Sequence, residues 1–97
     1  MEILVEQAAE RVTVRVVGDV TASRSGDLED RVLPLVGAGQ PRIDVDLCRM
    51  SFLSSTGLAV LVRLMRQARQ HKQPMHLLDP VPHIERMLRI ANMPIGG

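Results

Sequence analysis

The chain has 97 residues, the length of one small domain built around one hydrophobic core, and we expect a single domain over residues 1–97. Apolar residues make up 45% of it, but it holds one Phe and neither Tyr nor Trp, which all but excludes stacking of bases or sugars on aromatic side chains. The net charge of +1 divides into −4 over residues 1–46 and +5 over residues 47–97, well short of a nucleic-acid-binding composition.

Cysteine and histidine usage argues against a metal site. Cys48 is the only cysteine, so no disulfide can form within the chain, and the three histidines lack the spacing of metal ligands. The N-terminus has no basic region and a short apolar run, and no stretch of 18 apolar residues occurs. We therefore expect no metal, no signal peptide, no membrane insertion and a cytoplasmic location.

The first half of the chain is predicted to form a hairpin, a helix and a third strand. Val12, Val14 and Val16 alternate with polar residues, which is typical of a half-buried strand, and Gly18-Asp19-Val20-Thr21 ends that strand as a turn. Ile43, Val45 and Leu47 alternate in the same way with Asp44 and Asp46. The strands are predicted near residues 2–6, 11–17 and 42–48, and the helix near 22–33.

The second half is predicted to contain a loop at 49–56, two helices and one strand. The strongest helix, near 56–71, has an apolar stripe at helical spacing: Leu58, Leu61, Val62, Met65 and Ala68. A strand near 75–78 and a helix near 82–91 follow, the latter with Ile84, Met87, Leu88 and Ala91 facing inward. The order β-β-α-β-α-β-α predicts an α/β fold with a mixed sheet, parallel crossovers and helices packed on the sheet.

No catalytic motif occurs in the sequence, and we expect no enzyme activity. One segment nevertheless stands out as a candidate binding site. Ser54, Ser55 and Thr56 form a run of hydroxyl residues at the start of the strongest helix, followed by Gly57. One hydroxyl is sufficient to cap a helix, and a helix N-terminus also accommodates a phosphate, so capping and phosphoacceptor roles both remain open. A glycine early in a helix indicates close backbone approach, to a neighbouring strand or to a partner protein.

A second feature is a row of bases along the same helix. Arg63, Arg66, Arg69 and Lys72 recur every three residues. Such a row is consistent with a solvated face or with docking to an acidic partner.

The loop and helix over residues 46–47 and 50–61, Asp-Leu and Met-x-Phe-Leu-Ser-Ser-Thr-Gly-Leu-Ala-Val-Leu, resemble the signature of STAS domains, the sulfate transporter and anti-sigma factor antagonist family. In antagonists of that family this loop commonly reads Asp-Ser-Ser-Gly or Asp-Ser-Thr-Gly. The Gly18–Thr21 turn resembles the Gly-Glu-Leu-Asp turn of the family. STAS domains usually continue with one more strand and a C-terminal helix, which are missing from this sequence. We therefore expect either a truncated domain, or a partner or a second copy in a homodimer that covers the open sheet edge.

The resemblance implies regulation by partner switching. An antagonist of this kind binds an anti-sigma factor that is also a serine/threonine kinase of the histidine-kinase-like ATPase type, and a phosphatase reverses the phosphorylation. The acceptor implied by position is Thr56, with Ser55 as the alternative, and no cofactor is implied. The implied partner-binding residues are Asp19, Thr21, Leu53, Ser54, Gly57 and Leu58.

Two departures from the family pattern leave an alternative open. Ser54 and Thr21 stand where the family usually has acids that are tied to phosphorylation. The alternative function is an accessory STAS subunit that docks on a transporter ATPase or a signalling scaffold without being phosphorylated. In either case, Thr56 is predicted to be exposed at the start of the helix. The 53–58 loop and the Gly18–Thr21 turn should meet, because both follow adjacent strands.

Overall fold

The structure is a computed structural model that describes residues 1–96, and Gly97, the last residue of the predicted domain, lies outside this range. In this range the chain forms five strands and three α-helices, with short 3₁₀ turns on either side of the first helix. The elements are β1 (Glu2–Gln7), β2 (Val12–Val20), α1 (Ser25–Val32), β3 (Ile43–Asp46), β4 (Met50–Leu53), α2 (Ser55–Gln70), β5 (Met75–Leu78) and α3 (Pro82–Ile90).

The five strands form one mixed sheet, which confirms the predicted α/β class. The order across the sheet is β1-β2-β3-β5, with β1 antiparallel to β2 and the pairs β2–β3 and β3–β5 parallel. β4 also runs parallel to β2, beside its last residues Gly18–Val20. β2 is therefore the central strand, and β3 pairs with its first residues and β4 with its last residues.

One face of the sheet forms the core together with the helices. The inward residues Val12, Val14 and Val16 are fully buried, as their alternation predicted. Asp44 in β3 alternates with the inward residues Ile43 and Val45 and therefore lies on the opposite face of the sheet. Its side chain is nevertheless only 2% exposed. Arg42 covers it by donating two hydrogen bonds to its carboxylate, at 2.8 and 3.0 Å, and this pairing makes the burial of the charge tolerable.

The predicted loop at 49–56 and the predicted turn at Gly18–Thr21 were wrong in part. Met50–Leu53 form β4, and β2 continues to Val20 instead of ending at residue 17. Gly18 has a φ of 92°, and the pairing of β2 with β4 shifts register between Gly18 and Asp19. This bulge lets the strand pass through a sequence that reads as a turn.

The helices lie where the apolar stripes predicted them, but the buried arc of α2 is rotated from the predicted one. Leu61, Met65 and Ala68 are buried as expected, whereas Leu58 and Val62 are half-buried and Val60 and Leu64 replace them in the core. The cause is the second neighbour of α2, because this helix packs on α1 as well as on the sheet. In α3, Ile84 and Leu88 are buried, while Met87 and Ala91 are half-buried.

Two further observations concern the periphery of the domain. The segment after α3 returns to the outer edge of β5, where the Gly96 N–H donates to the Leu77 carbonyl at 2.7 Å. Among residues 1–96, none of the helices combines the length and the apolar composition needed to cross a bilayer.

Candidate functional site

The hydroxyl run lies at the N-terminus of α2, and its three residues have different surroundings. Ser54 is the N-cap, and its Oγ accepts a hydrogen bond from the Gly57 N–H at 3.0 Å. Ser55 and Thr56 are the first two helical residues, and both are exposed. One hydroxyl therefore caps the helix, while the other two lie at the surface beside the positive end of the helix dipole.

A second strand end meets this helix start. Val20 and Leu53 pair where β2 and β4 end, and the Ser54 N–H donates to the Val20 carbonyl at 2.9 Å. The predicted meeting of the two segments is confirmed, because parallel neighbouring strands release their following residues at the same edge of the sheet. Asp19 lies at this edge, where its exposed carboxylate accepts a hydrogen bond from Ser51 Oγ at 2.6 Å.

A cluster of two neutral hydroxyls, those of Ser25 and Ser54, lies beside the start of α2. Ser25, only 2% exposed, donates from its Oγ to the Thr21 carbonyl at 2.9 Å and lies 3.4 Å from Ser54 Oγ. The first turn of α2 contains no acidic residue. Ser25 was not among the predicted site residues. Its position four residues after Thr21, at the start of α1, is the signal that could have indicated it.

Gly57 is required by the close packing of α2 on the ends of β2 and β4. A Cβ atom at this position would lie 2.8 Å from Val20 Cγ1 and 2.9 Å from Leu53 Cδ1, well inside van der Waals contact. Of the two explanations that the sequence left open, close approach to neighbouring strands accounts for the glycine. Leu53 is also buried, at 2% exposure, so Gly57 and Leu53 form the floor of the site.

The remaining predicted partner-binding residues lie nearer the surface. Asp19 is exposed, whereas Thr21, Ser54 and Leu58 are half-buried. Phe52, like Ser25, was not among the predicted site residues, and it is 48% exposed beside the buried Leu53. Phe52 and Leu53 are adjacent apolar residues in a segment predicted as a loop, and the sequence does not indicate which of them faces solvent. The pairing of β4 with β2 determines that Leu53 is buried and Phe52 is exposed.

An ionisable pair, Asp46 and Cys48, lies where β3 ends and the connection to β4 begins. Burial would raise the pKa of Asp46, but hydrogen bonds from the Cys48 backbone N–H, the Cys48 thiol and Arg15 outweigh it and lower that pKa below its usual value. The hydrogen bond to Asp46, assisted by burial, raises the pKa of the Cys48 thiol. The thiol therefore stays protonated at neutral pH and is a weak nucleophile.

The geometry agrees with what comparison with known proteins finds. A family model described as "Mlab, STAS domain" matches residues 3–94. The chain belongs to the STAS domain family. The resemblance drawn from the loop and helix motif is thereby confirmed.

One relative of this STAS domain carries the name of an anti-sigma factor antagonist. BtrV of Bordetella bronchiseptica, named as such an antagonist, is 30% identical over 74 residues, which cover 76% of this chain and 64% of BtrV. The match thus spans less than two thirds of that relative.

Solved structures share the fold. An anti-sigma factor antagonist from Mycobacterium paratuberculosis has a TM-score of 0.85 at 21% identity, over 97% of this chain and 83% of that one. The antagonist SpoIIAA in its unphosphorylated form has a TM-score of 0.83 at 18% identity, over 99% of this chain and 89% of that one. The phosphorylated form of SpoIIAA from Bacillus has a TM-score of 0.79 at 19% identity, over 99% of this chain and 92% of that one. At these identities the likeness concerns the fold.

Proposed function

We propose that this STAS domain is an anti-sigma factor antagonist, a regulatory binding module with no catalytic activity of its own. The observation that carries the proposal is the position of Ser55 and Thr56. Both are exposed at the start of α2, beside the strand ends that hold Asp19. The partner is an anti-sigma factor of the serine/threonine kinase type, which binds at this end of the sheet. The antagonists among the relatives support this assignment.

Phosphorylation of Thr56, or of Ser55, is the proposed control of this binding. A phosphate at the start of α2 lies beside free backbone N–H groups and the positive end of the helix dipole, so it leaves the fold intact. The same charge at an interface with an acidic partner surface weakens binding through repulsion and desolvation. A phosphatase would restore the binding form.

A second candidate function is supported by the neutral hydroxyl cluster. Thr21 and Ser54 stand where the family usually has acids, Ser25 donates to the Thr21 carbonyl and contacts the Ser54 hydroxyl, and the first turn of α2 lacks a carboxylate. Such a site lacks the acids tied to phosphotransfer in the family. The alternative is therefore an accessory subunit that docks on a transporter ATPase or a signalling scaffold and is not phosphorylated.

Phosphorylation distinguishes the two candidates directly. The purified chain is incubated with ATP and the kinase-type anti-sigma factor encoded in the same genome, and mass spectrometry maps the product. We expect phosphate on Thr56, or on Ser55, and none on the matching alanine variant. The double variant Thr21→Asp and Ser54→Asp restores the family's acids. Phosphate on this variant alone, with none on the unaltered chain, would support the accessory subunit, and so would binding without phosphorylation.

The control of binding is tested with Thr56→Glu. Its carboxylate lies at a helix N-terminus, so we expect the melting temperature to rise by about 1–8 °C and not to fall, because the dipole term stabilises by about 0.3–1 kcal/mol. Binding to the anti-sigma factor should weaken by at least about tenfold in titration calorimetry. Thr56→Gln is the uncharged control of similar size and should bind more tightly than Thr56→Glu. Equal affinities of the two variants would remove charge at residue 56 from the mechanism.

A further inference from the structure

Among residues 1–96, four large apolar side chains are exposed, those of Leu4, Leu33, Phe52 and Ile90, and Phe52 is the one that lies in the strand leading into α2. Phe52 is the only Phe, Tyr or Trp in the chain, and it is not part of the core, which consists of Val, Leu, Ile, Met and Ala residues. Its side chain is 48% exposed, while its neighbours in β4, Met50 and Leu53, are buried. The one Phe of this chain is thus presented to solvent in the strand that leads into α2.

The strand around Phe52 is fixed by contacts on both sides. Phe52 pairs with Asp19 in β2, and Asp19 in turn accepts the 2.6 Å hydrogen bond from Ser51 Oγ. On the other side, His83 of α3 lies with its Nε2 3.0 Å from the Ser51 carbonyl oxygen. An exposed apolar side chain on a rigid support loses little conformational entropy when a partner covers it.

The charge next to Phe52 is a second recognition feature. Among residues 1–96, Asp19 has no Lys, Arg or His within ion-pair distance, so its carboxylate is held by Ser51 and otherwise faces solvent. An anion beside an apolar anchor fits an apolar pocket with a Lys or Arg at its rim. This arrangement, an aromatic residue at the centre with charge at the rim, is typical of interfaces in which few residues carry most of the affinity.

We infer that Phe52 is the anchor residue of the partner interface, and that it inserts into an apolar pocket of the anti-sigma factor bordered by a cation that pairs with Asp19. The inference rests on the proposed function and specifies the chemistry of the partner surface. It extends that surface from the start of α2 onto the exposed side of β4, because Phe52 directly precedes Leu53 and the N-cap Ser54.

The test compares Phe52→Ala with Leu4→Ala. Leu4 in β1 is the matched control, since it is also a large apolar residue in the sheet and is 44% exposed. Titration calorimetry against the purified anti-sigma factor of the same genome measures affinity, and thermal unfolding verifies that each variant folds. We expect Phe52→Ala to bind at least about tenfold more weakly. Leu4→Ala should bind like the unaltered chain, and Phe52→Leu should lie between.

Salt dependence separates the anchor from the rim. The affinity lost in Asp19→Asn should be largest at low ionic strength and shrink at high ionic strength, whereas the loss in Phe52→Ala should persist in both. If the unaltered chain binds and Phe52→Ala binds equally well, or no worse than Leu4→Ala, the inference is overturned and the proposed function stands. If the unaltered chain does not bind the anti-sigma factor, both are overturned.

Discussion

Replacing Gly57 by alanine should destabilise the domain, although alanine is the better helix former. The new Cβ would lie 2.8 Å from Val20 Cγ1 and 2.9 Å from Leu53 Cδ1, and both side chains are buried. Overpacking of this kind costs about 1–3 kcal/mol, and Val20 is β-branched and has little rotamer freedom with which to yield. The gain in helix propensity is at most about 1 kcal/mol, because Gly57 lies in the first turn. The net loss of about 1–2 kcal/mol should lower the melting temperature by about 5–15 °C.

Gly26→Ala is the matched control, measured in the same circular-dichroism melts. Gly26 also lies in the first turn of a helix, α1, and a Cβ there would meet nothing within 4 Å. This variant should therefore gain up to about 1 kcal/mol of stability from reduced freedom of the unfolded chain. Opposite shifts in the two variants isolate the packing term. If Gly57→Ala melts at or above the temperature of the unaltered chain, the close contact of α2 with the strand ends is not the reason for the glycine.

Further predictions concern single polar contacts. Ser54→Ala removes the cap on the Gly57 N–H and should cost about 1 kcal/mol in chemical denaturation, whereas Ser54→Asp should retain the cap. The lowered pKa of Asp46 stabilises the fold above the pKa of an unfolded aspartate, near 3.9, and this contribution is lost as the pH falls through the lower folded value. Melts of Asp46→Asn should therefore differ from those of the unaltered chain at pH 6, and the difference should shrink as the pH falls through the lowered pKa of Asp46. Gln73→Leu leaves the Gly37 N–H without its 3.0 Å acceptor, so amide exchange at Gly37 should accelerate.

Alternation and helical stripes were sufficient to predict the body of the fold. Val12, Val14 and Val16 are the inward residues of β2, and Leu61, Met65 and Ala68 lie on the buried side of α2. β4 was missed because its buried residues, Met50 and Leu53, are three apart, and a strand with regular pleating would bury every second residue. The bulge that causes this spacing depends on pairing with β2, which is a tertiary contact that no local pattern records.

The candidate site was predictable in position but not in orientation. Thr56 and Ser55 were placed correctly at an exposed helix start, because capping chemistry is local. Leu53 and Phe52 are adjacent and both apolar, and their exposures of 2% and 48% are set by the strand that lies alongside them. The buried Ser25 was missed for the same reason, since its contact with Ser54 joins residues 29 positions apart.

The succession of two partners along one side of β2 has a consequence for how such proteins diverge. β3 borders residues 12–15 and β4 borders residues 18–20, and in residues 1–96 β2 is the only strand that pairs with β4. Changes at the exposed residues Cys48, Arg49, Ser51 and Phe52 therefore alter the surface of the protein without removing contacts between β3 and β5, whereas Leu47 is buried and its N–H donates to the Leu78 carbonyl at 2.9 Å. After a gene duplication, each copy can acquire its own partner protein by mutation in this short stretch. The sheet beneath can be inherited unchanged, so related pathways in one cell can stay insulated from one another.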